Sequence, residues 1–229
     1  ILKNQFKNIK NLKEIYLNFR DKMLKLRGKS FLVAVSGGAD SLALTALTMS
    51  YRFENKNVNF IYVLIDHRIR KNSSKEATAV KNLLKNRKIS LKILVNKIKI
   101  DRNIQGQARN VRYQILTNFC KKNKIKNILT AHNLEDQVET FFIRLSRGSG
   151  LTGLSAMNQS NIISNSIKLS RPLLDVKKDK LIKISKLIFG KYFKDPSNKN
   201  NKYLRTKIRK LKLPLKKSGI KYEQIIKSI

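Results

Sequence analysis

Six consecutive residues, Ser36-Gly37-Gly38-Ala39-Asp40-Ser41, carry the densest chemistry in the sequence. They lie between the apolar run FLVAV and a helical stretch. The two glycines let backbone amides turn inward, and the helix N-terminus adds partial positive charge, so the segment suits a phosphate group. A Gly-Gly turn alone is an ordinary strand-to-helix connection. The flanking serines and the Asp on the first helical turn make this one specific. Asp40 is out of place beside phosphates unless a divalent cation bridges them. The loop is not of the Walker A type, because no Lys follows the glycines and the spacing is too short. Two other apolar runs end in polar residues of similar interest: VNFIYVLI stops at Asp66-His67, and ILTA stops at His132.

These residues need a frame that brings strand ends together. Phe31 to Val35, Val58 to Ile65, Leu91 to Val95 and Ile128 to Ala131 read as four strands. Apolar residues Phe6, Ile9, Leu12, Ile15, Phe19, Met23 and Leu26 recur at three- and four-residue steps, which predicts an amphipathic helix over about 1–27. Further helices are expected over Ser41 to Arg52, from a Ser73/Glu76 capping box through Asn86, over Ile104 to Lys122, and from an Asn133 cap with Glu135-Asp136 in its first turn. Strand and helix alternate four times with near-continuous apolar strands, the pattern of a doubly wound parallel α/β sheet. Ligands of such sheets lie beyond the carboxyl ends of the strands, where Ser36, Asp66 and His132 all fall. Beyond Arg147-Gly148-Ser149-Gly150 the regularity weakens. Residues 160–174 read as a short extended pair ending at Arg171-Pro172, Asp175 as the cap of a helix to Ile188, and the chain from Asp195-Pro196 as polar and then strongly basic.

The 229 residues carry 51 Lys+Arg against 14 Asp+Glu, a formal net charge of +37 spread along the whole length. A field of that sign favours a polyanionic partner. Abundant Lys, Asn and Ile also fit a protein from an AT-rich genome. With 41% hydrophobic residues a folded core is expected. The single cysteine, Cys120, excludes an internal disulfide framework and any multi-cysteine metal or redox site. No apolar run reaches 18 residues, so no membrane span is expected. The basic amphipathic N-terminus lacks the Arg and Ser richness of a transit peptide and carries Glu14 and Asp21, so it reads as a surface helix.

The motif VSGGADS resembles the pyrophosphatase loop (PP-loop) of enzymes that split ATP between the α and β phosphates. Within that group the sequence resembles the tRNA(Ile)-lysidine synthetase family. Further stretches carry the resemblance: Asp66-His67-Arg68-Ile69-Arg70; Gln107-Ala108-Arg109 with Arg112-Tyr113; Ala131-His132 through Asp136-Gln137 to Glu139-Thr140; Arg144-Leu145 to Gly153-Leu154; Arg171-Pro172-Leu173-Leu174; and Asp195-Pro196-Ser197-Asn198 with Tyr203 and Arg205. They span about residues 30–210.

The resemblance implies an ATP- and Mg²⁺-dependent ligase acting on the wobble cytidine of a tRNA(Ile) with a CAU anticodon. In that family the cytosine 2-oxygen attacks the α-phosphate of ATP, and the ε-amine of free L-lysine then displaces AMP to form lysidine. Decoding changes from AUG to AUA. Carried onto this sequence, Ser36, Gly37, Gly38, Ala39, Asp40 and Ser41 would hold the leaving pyrophosphate, with Mg²⁺ anchored through Asp40. Asp66 and His67 would border the nucleotide, and Arg109 and Arg112, three apart on one helix, would face phosphates. Asp136 and Glu139 are the candidate carboxylates for the lysine ammonium, and His132 or a carboxylate the acceptor of its proton. Arg147, Arg171, Arg205, Lys207, Arg209 and Lys210 are the candidate tRNA contacts, with the basic segment Lys207 to Lys217 the main one. The sequence departs from the family pattern at Asn133, where a second His is usual, at Glu135, where Asp is usual, and at Gly106-Gln107. Longer family members continue into one or two extra domains, so the chain reads as a minimal enzyme or a fragment, and it opens on Ile rather than Met. The expected organisation is a synthetase domain over 1–200 and a basic helical extension over 201–229. Bacterial cytoplasm is the expected compartment, with an organelle stroma or matrix the alternative, and homodimerisation is left open.

Two competing readings share the loop. tRNA thiolases deliver sulfur through nucleophilic or cluster-binding cysteines, whereas Cys120 stands alone between Phe119 and Lys121 in an expected helix and reads as a buried structural thiol. Amidating synthetases for NAD or GMP act on small substrates and do not account for the basic surface. A catalytically inactive RNA-binding module is disfavoured by the intact Asp40, Asp136 and Glu139.

Overall fold

The computed structural model describes residues 10–101, 103–164, 166–194 and 203–228. Its centre is β1 (Ser30–Val35), which runs parallel to β2 (Asn59–Asp66) on one side and to β4 (Asn127–Leu129) on the other. β3 (Leu91–Val95) extends the first side, while β6 (Ile167–Ser170) and the antiparallel β5 (Ser160–Ser164) extend the second. The spatial order is β3-β2-β1-β4-β6-β5, so the chain reverses direction across the sheet beside β1. The registers Val35↔Leu64 and Val33↔Leu129 bring the ends of β1, β2 and β4 to one rim, which is where a doubly wound sheet binds ligands.

Period-two alternation along the strands divides the core. Phe31, Val33, Val35, Phe60, Tyr62 and Leu64 face α1 (Lys10–Leu24), α2 (Ala39–Glu54), α3 (Ser73–Lys85) and α7 (Lys178–Phe189). Leu32, Val63, Ile128 and Leu169 face the other way, onto Leu116 and Cys120 of α4 (Ile104–Lys122). The expected doubly wound architecture is therefore present, with one antiparallel edge strand added. The apolar stripe of α1 is buried through Leu12, Phe19 and Met23. Among the described residues no helix is long and apolar enough to cross a membrane.

Two expected helix caps are corrected. Ser73 is the first residue of α3 and makes no cap. The neighbouring Ser74 hydroxyl donates to Asp66 Oδ2 at 2.6 Å, and Glu76 accepts from Arg70 at 2.8 Å instead of reaching back to the helix start. Asp175 does not cap α7, which begins at Lys178. Asp175 instead binds Lys22 at 2.5 Å and Asn18 at 2.8 Å, tying α1 to the sheet, because a buried-side lysine is a stronger partner than a helix amide. Asn133, by contrast, forms a full capping box with Asp136 at the start of α5 (Leu134–Leu145).

After the short α6 (Leu151–Leu154) and the β5–β6 hairpin, the chain ends in α8 (Leu204–Lys210), α9 (Lys212–Lys217) and α10 (Tyr222–Lys227). Tyr222, Leu215, Ile225 and Ile226 pack on Leu134, Val138 and Phe142 of α5. The basic extension thus folds back onto the helix that carries Asp136 and Glu139. The Asp195-Pro196-Ser197-Asn198 motif lies outside the described residues.

Candidate nucleotide-binding site

The loop after β1 is closed by its own side chains. The Ser36 amide and hydroxyl donate to Ser41 Oγ at 3.1 and 3.2 Å, and Ser41 Oγ donates to the Gly38 carbonyl at 3.0 Å. Gly37 takes φ +80°, and a Cβ there would lie 2.4 Å from Val80 Cγ2, so only glycine fits. The Gly37 carbonyl accepts from the Phe193 amide at 2.9 Å. That bond turns the carbonyl toward the chain leaving α7 and away from the start of α2, where the first-turn amides lack intrahelical acceptors. Ala39 is buried and fixes the helix against the sheet.

Asp40 follows on the first turn of α2. Its Oδ1 is buried without a hydrogen-bond partner among the described residues, and its Oδ2 lies 3.6 Å from Lys178 Nζ. Burial pushes its carboxyl up to about 6, Lys178 opposing and the Asp136 charge reinforcing the shift. An orphaned carboxylate oxygen at a phosphate loop suits a hard divalent cation. No cluster of three or more His, Cys, Asp or Glu forms among the described residues. That is compatible with Mg²⁺, which takes one or two carboxylates and completes its shell with phosphates and water.

Asp66 is buried and already committed, accepting from Ser74 Oγ and from the Arg68 amide at 3.0 Å. Burial raises its carboxyl, but these hydrogen bonds outweigh it and leave the group below the ordinary carboxylate range. It shapes the turn rather than offering a free ligand. His67 has neither ring nitrogen partnered among the described residues and opens onto a cleft of about 600 Å³ shared with Asn96, Lys97 and Ile98. Asn96, which closes the run LKILV, holds that cleft's far wall through its amide to the Asp66 carbonyl at 2.8 Å and its side chain to Ile98. The only sequence signal for Asn96 was its place after an apolar run.

Arg109 and Arg112 share a helix but act on different neighbours. Arg109 lies over the Tyr113 ring at 5.2 Å and presses on His132, whereas Arg112 presses on His67. His132 Nδ1 is 2.9 Å from Thr130 Oγ1. Burial drives the His132 imidazole down to about 4, with Asp136 opposing and Arg109, Arg171 and Arg205 adding to it. A neutral imidazole of that basicity is a poor sink for a lysine proton and a better hydrogen-bond donor.

Asp136 and Glu139 sit on the same face of α5, as expected, and the Asp136 charge helps burial raise the Glu139 carboxyl. Asp136 Oδ2 accepts from the Asn133 amide in the capping box. Glu139, with its side chain 4% exposed, is held by Arg209 at 2.6 and 3.1 Å and by Arg205 at 3.3 Å. Arg205 and Arg209 are therefore engaged inside the chain. Arg171 is likewise buried and donates to the Asn158 carbonyl and Asn161 Oδ1 at 2.7 and 2.8 Å. Arg147, Lys207 and Lys210 are exposed. Glu135, noted in the sequence as an acidic first-turn residue and as a departure from the family pattern, accepts from the Lys178 amide at 2.9 Å and from Lys212 Nζ at 3.0 Å, taking the place that Asp175 leaves at the start of α7.

The depressed His132 value gives a stability prediction. Its folded value of about 4 lies below its unfolded value of 6.5. The unfolded chain binds the extra proton between these limits, so this contribution is present above pH 6.5 and lost as pH falls toward 4. Asp40 runs the other way, its folded value near 6 lying above its ordinary one. The two offset in the parent protein, so the measurement is the difference between it and His132→Gln. Between pH 7 and 5 the parent should lose about 2 kcal/mol of unfolding free energy relative to His132→Gln in urea titrations. Parallel pH profiles would remove the buried neutral imidazole from the account.

Comparison with known proteins adds three findings. Residues 5–215 match the PP-loop domain family. The chain is 42% identical over 181 residues to the tRNA(Ile)-lysidine synthase of Orientia tsutsugamushi (strain Boryong), covering 78% of this chain and 40% of that protein. It is 41% identical over 181 residues to the tRNA(Ile)-lysidine synthase of Wolbachia pipientis wMel, covering 78% and 42%. The chain thus spans about two fifths of the length of these curated relatives. Among solved structures, the U34-tRNA thiolase NcsA from Methanococcus maripaludis matches with a TM-score of 0.78 at 20% identity, over 94% of this chain and 77% of that one, a likeness of fold. A strand-end loop closed by Ser36 and Ser41, an acidic first helical turn and a family match over nearly the whole chain lead to one assignment: the chain belongs to the PP-loop domain family.

Proposed function

We propose that this chain carries the adenylating site of a tRNA(Ile)-lysidine synthetase, using ATP, Mg²⁺ and L-lysine on a tRNA(Ile) with a CAU anticodon. The observation that carries the reading is the convergence at one rim of the Ser36–Ser41 loop, the half-served Asp40 and the Asp136/Glu139 pair, in a chain whose relatives bear that name.

The residues divide the work as follows. Amides of the Ser36–Ser41 loop and the start of α2 hold the β,γ-pyrophosphate as the cytosine 2-oxygen forms its bond to the α-phosphorus and the bond from that phosphorus to the α,β-bridging oxygen breaks, the electron pair leaving with pyrophosphate. Asp40 would hold Mg²⁺ through Oδ1, and the ion would supply charge neutralisation on the leaving side. The lysine ε-ammonium passes a proton to Asp136 Oδ1, the neutral amine attacks C2, and AMP departs with the electron pair of its bond to C2. Asp136 keeps Oδ1 for the lysine ammonium, since Oδ2 serves the cap. Glu139 is neutralised by Arg209 and Arg205, and its part is to place those guanidiniums beside the site. His132 donates its N–H to the reacting base or phosphate. RNA phosphates fall to the exposed Arg147, Lys207 and Lys210, each contact adding about 0.7–0.9 to the log–log salt slope. The 1–200 domain and the 201–229 extension then act together, because α8 to α10 lie on α5.

Cys120 is buried in α4, and burial lifts its thiol to about 12, so it offers no thiolate for sulfur delivery. The test is incorporation of radiolabelled lysine into a CAU-anticodon tRNA(Ile) transcript. Label that requires ATP and the wobble C is the expected result. AMP formation without label on the RNA would reassign the second substrate, and neither product would remove the catalytic reading.

A further inference from the structure

Lys178 is not among the motif residues named in the sequence analysis, yet it stands at the phosphate loop. Its Nζ is 3.6 Å from Asp40 Oδ2, a long contact for an ion pair, while Asp40 Oδ1 has no partner among the described residues. The pair is partly open, with side chains 42% and 24% exposed. The Lys178 backbone is fixed, as the first residue of α7, by Glu135 Oε2 on its amide. Glu135 itself is taken up by that amide and by Lys212, so it does not compete for the Lys178 ammonium group. A fixed backbone, a flexible four-carbon stem and one loosely held carboxylate leave only the ammonium group able to move.

We propose that Lys178 is a phosphate ligand held in reserve by Asp40. Without nucleotide its ammonium lies against Oδ2 of the carboxylate whose Oδ1 would take a divalent cation, and its positive charge opposes that cation. When a nucleoside triphosphate enters, its β and γ phosphates draw Lys178 off Asp40 and free that carboxylate for the metal. Nucleotide and metal binding are then coupled, because Lys178 and the metal compete for Asp40 until the phosphates take up the ammonium. The inference rests on the nucleotide reading given above and extends it to a residue outside the loop.

Calorimetry with α,β-methylene ATP and with AMP, each with Mg²⁺, tests it on the 229-residue chain, with Mn²⁺ binding in the absence of nucleotide followed by electron paramagnetic resonance. Lys178→Met should weaken the triphosphate analogue about ten- to a hundredfold, leave AMP unchanged, and strengthen Mn²⁺ binding without nucleotide. Lys178→Arg should restore analogue affinity, which separates a charge contact from a packing role. Equal analogue affinity in the parent and Lys178→Met overturns the proposal, as does a matching loss of AMP affinity. A parent that binds neither nucleotide overturns the nucleotide reading and this inference with it.

Discussion

Asp40→Asn is expected to lower lysine transfer about a thousandfold while making the fold more stable. The change is nearly isosteric, so the loop geometry set by Ser36, Gly37 and Ser41 survives. It removes the one charge on the first turn of α2. Under the proposed function, activity falls because charge on the departing pyrophosphate would no longer be balanced through Oδ1, a contribution of about 4 kcal/mol at that rate ratio. Stability moves oppositely. Burial lifts the Asp40 carboxyl to about 6, so at pH 7 the ionised form is carried at a net disadvantage relative to the unfolded chain. Removing that charge should raise the unfolding free energy by about 1 kcal/mol, a figure reduced for the part of the side chain that water reaches. Labelled-lysine incorporation and urea unfolding on the same sample measure both. A variant that loses activity by losing stability would show that Asp40 is a structural acid, and one that keeps activity would remove it from the site.

The fold was legible because its strands are short, apolar and separated by helical periodicity. β1 and β3 fall where FLVAV and LKILV place them, and α4 where Ile104 to Lys122 does. The phosphate loop was legible for a related reason: its glycines and serines act through their own backbone within six residues. What was not legible depends on partners far apart in the chain. Asp175 carries the sequence signature of a helix cap, but Lys22 lies 153 residues away and outbids the local amides. Glu135 substitutes at the start of α7 across 43 residues. The basic extension illustrates the same limit. Arg205, Lys207, Arg209 and Lys210 look alike as a run of cations, yet helical spacing sends Arg205 and Arg209 to Glu139 and leaves Lys207 and Lys210 in solvent. Charge counting cannot separate the cations that hold α5 from those that face solvent, whereas burial of Glu139 separates them at once.

That division makes Arg209→Met the most damaging change in the basic segment. Arg209 gives two bonds to a carboxylate that is otherwise shut from water, and Arg205 at 3.3 Å replaces only part of that contact. Breaking a buried pair from one side costs about 3–5 kcal/mol, and the remaining arginine places this case near 3. The loss should depend on pH in a defined direction. Burial already lifts the Glu139 carboxyl above its ordinary range with Arg209 bound, and without that hydrogen bond it rises further. A folded value above the unfolded one means that stability is retained at low pH and lost as pH rises through the folded value. Arg209→Met should therefore lose about 3 kcal/mol at pH 8 and less at pH 5.5, because protonation of the buried Glu139 becomes easier as the pH falls. Pairing it with Glu139→Gln should recover part of the loss, because the double variant leaves no buried charge. Lys212→Met is the control: Lys212 is half exposed and Glu135 keeps its bond from the Lys178 amide, so the change should cost under about 1 kcal/mol. Urea midpoints for the four proteins at the two pH values decide the matter. A loss in Arg209→Met that is independent of pH, or no larger than in Lys212→Met, would return Arg209 to the solvent-facing cations and leave Glu139 as an available carboxylate for the lysine ammonium.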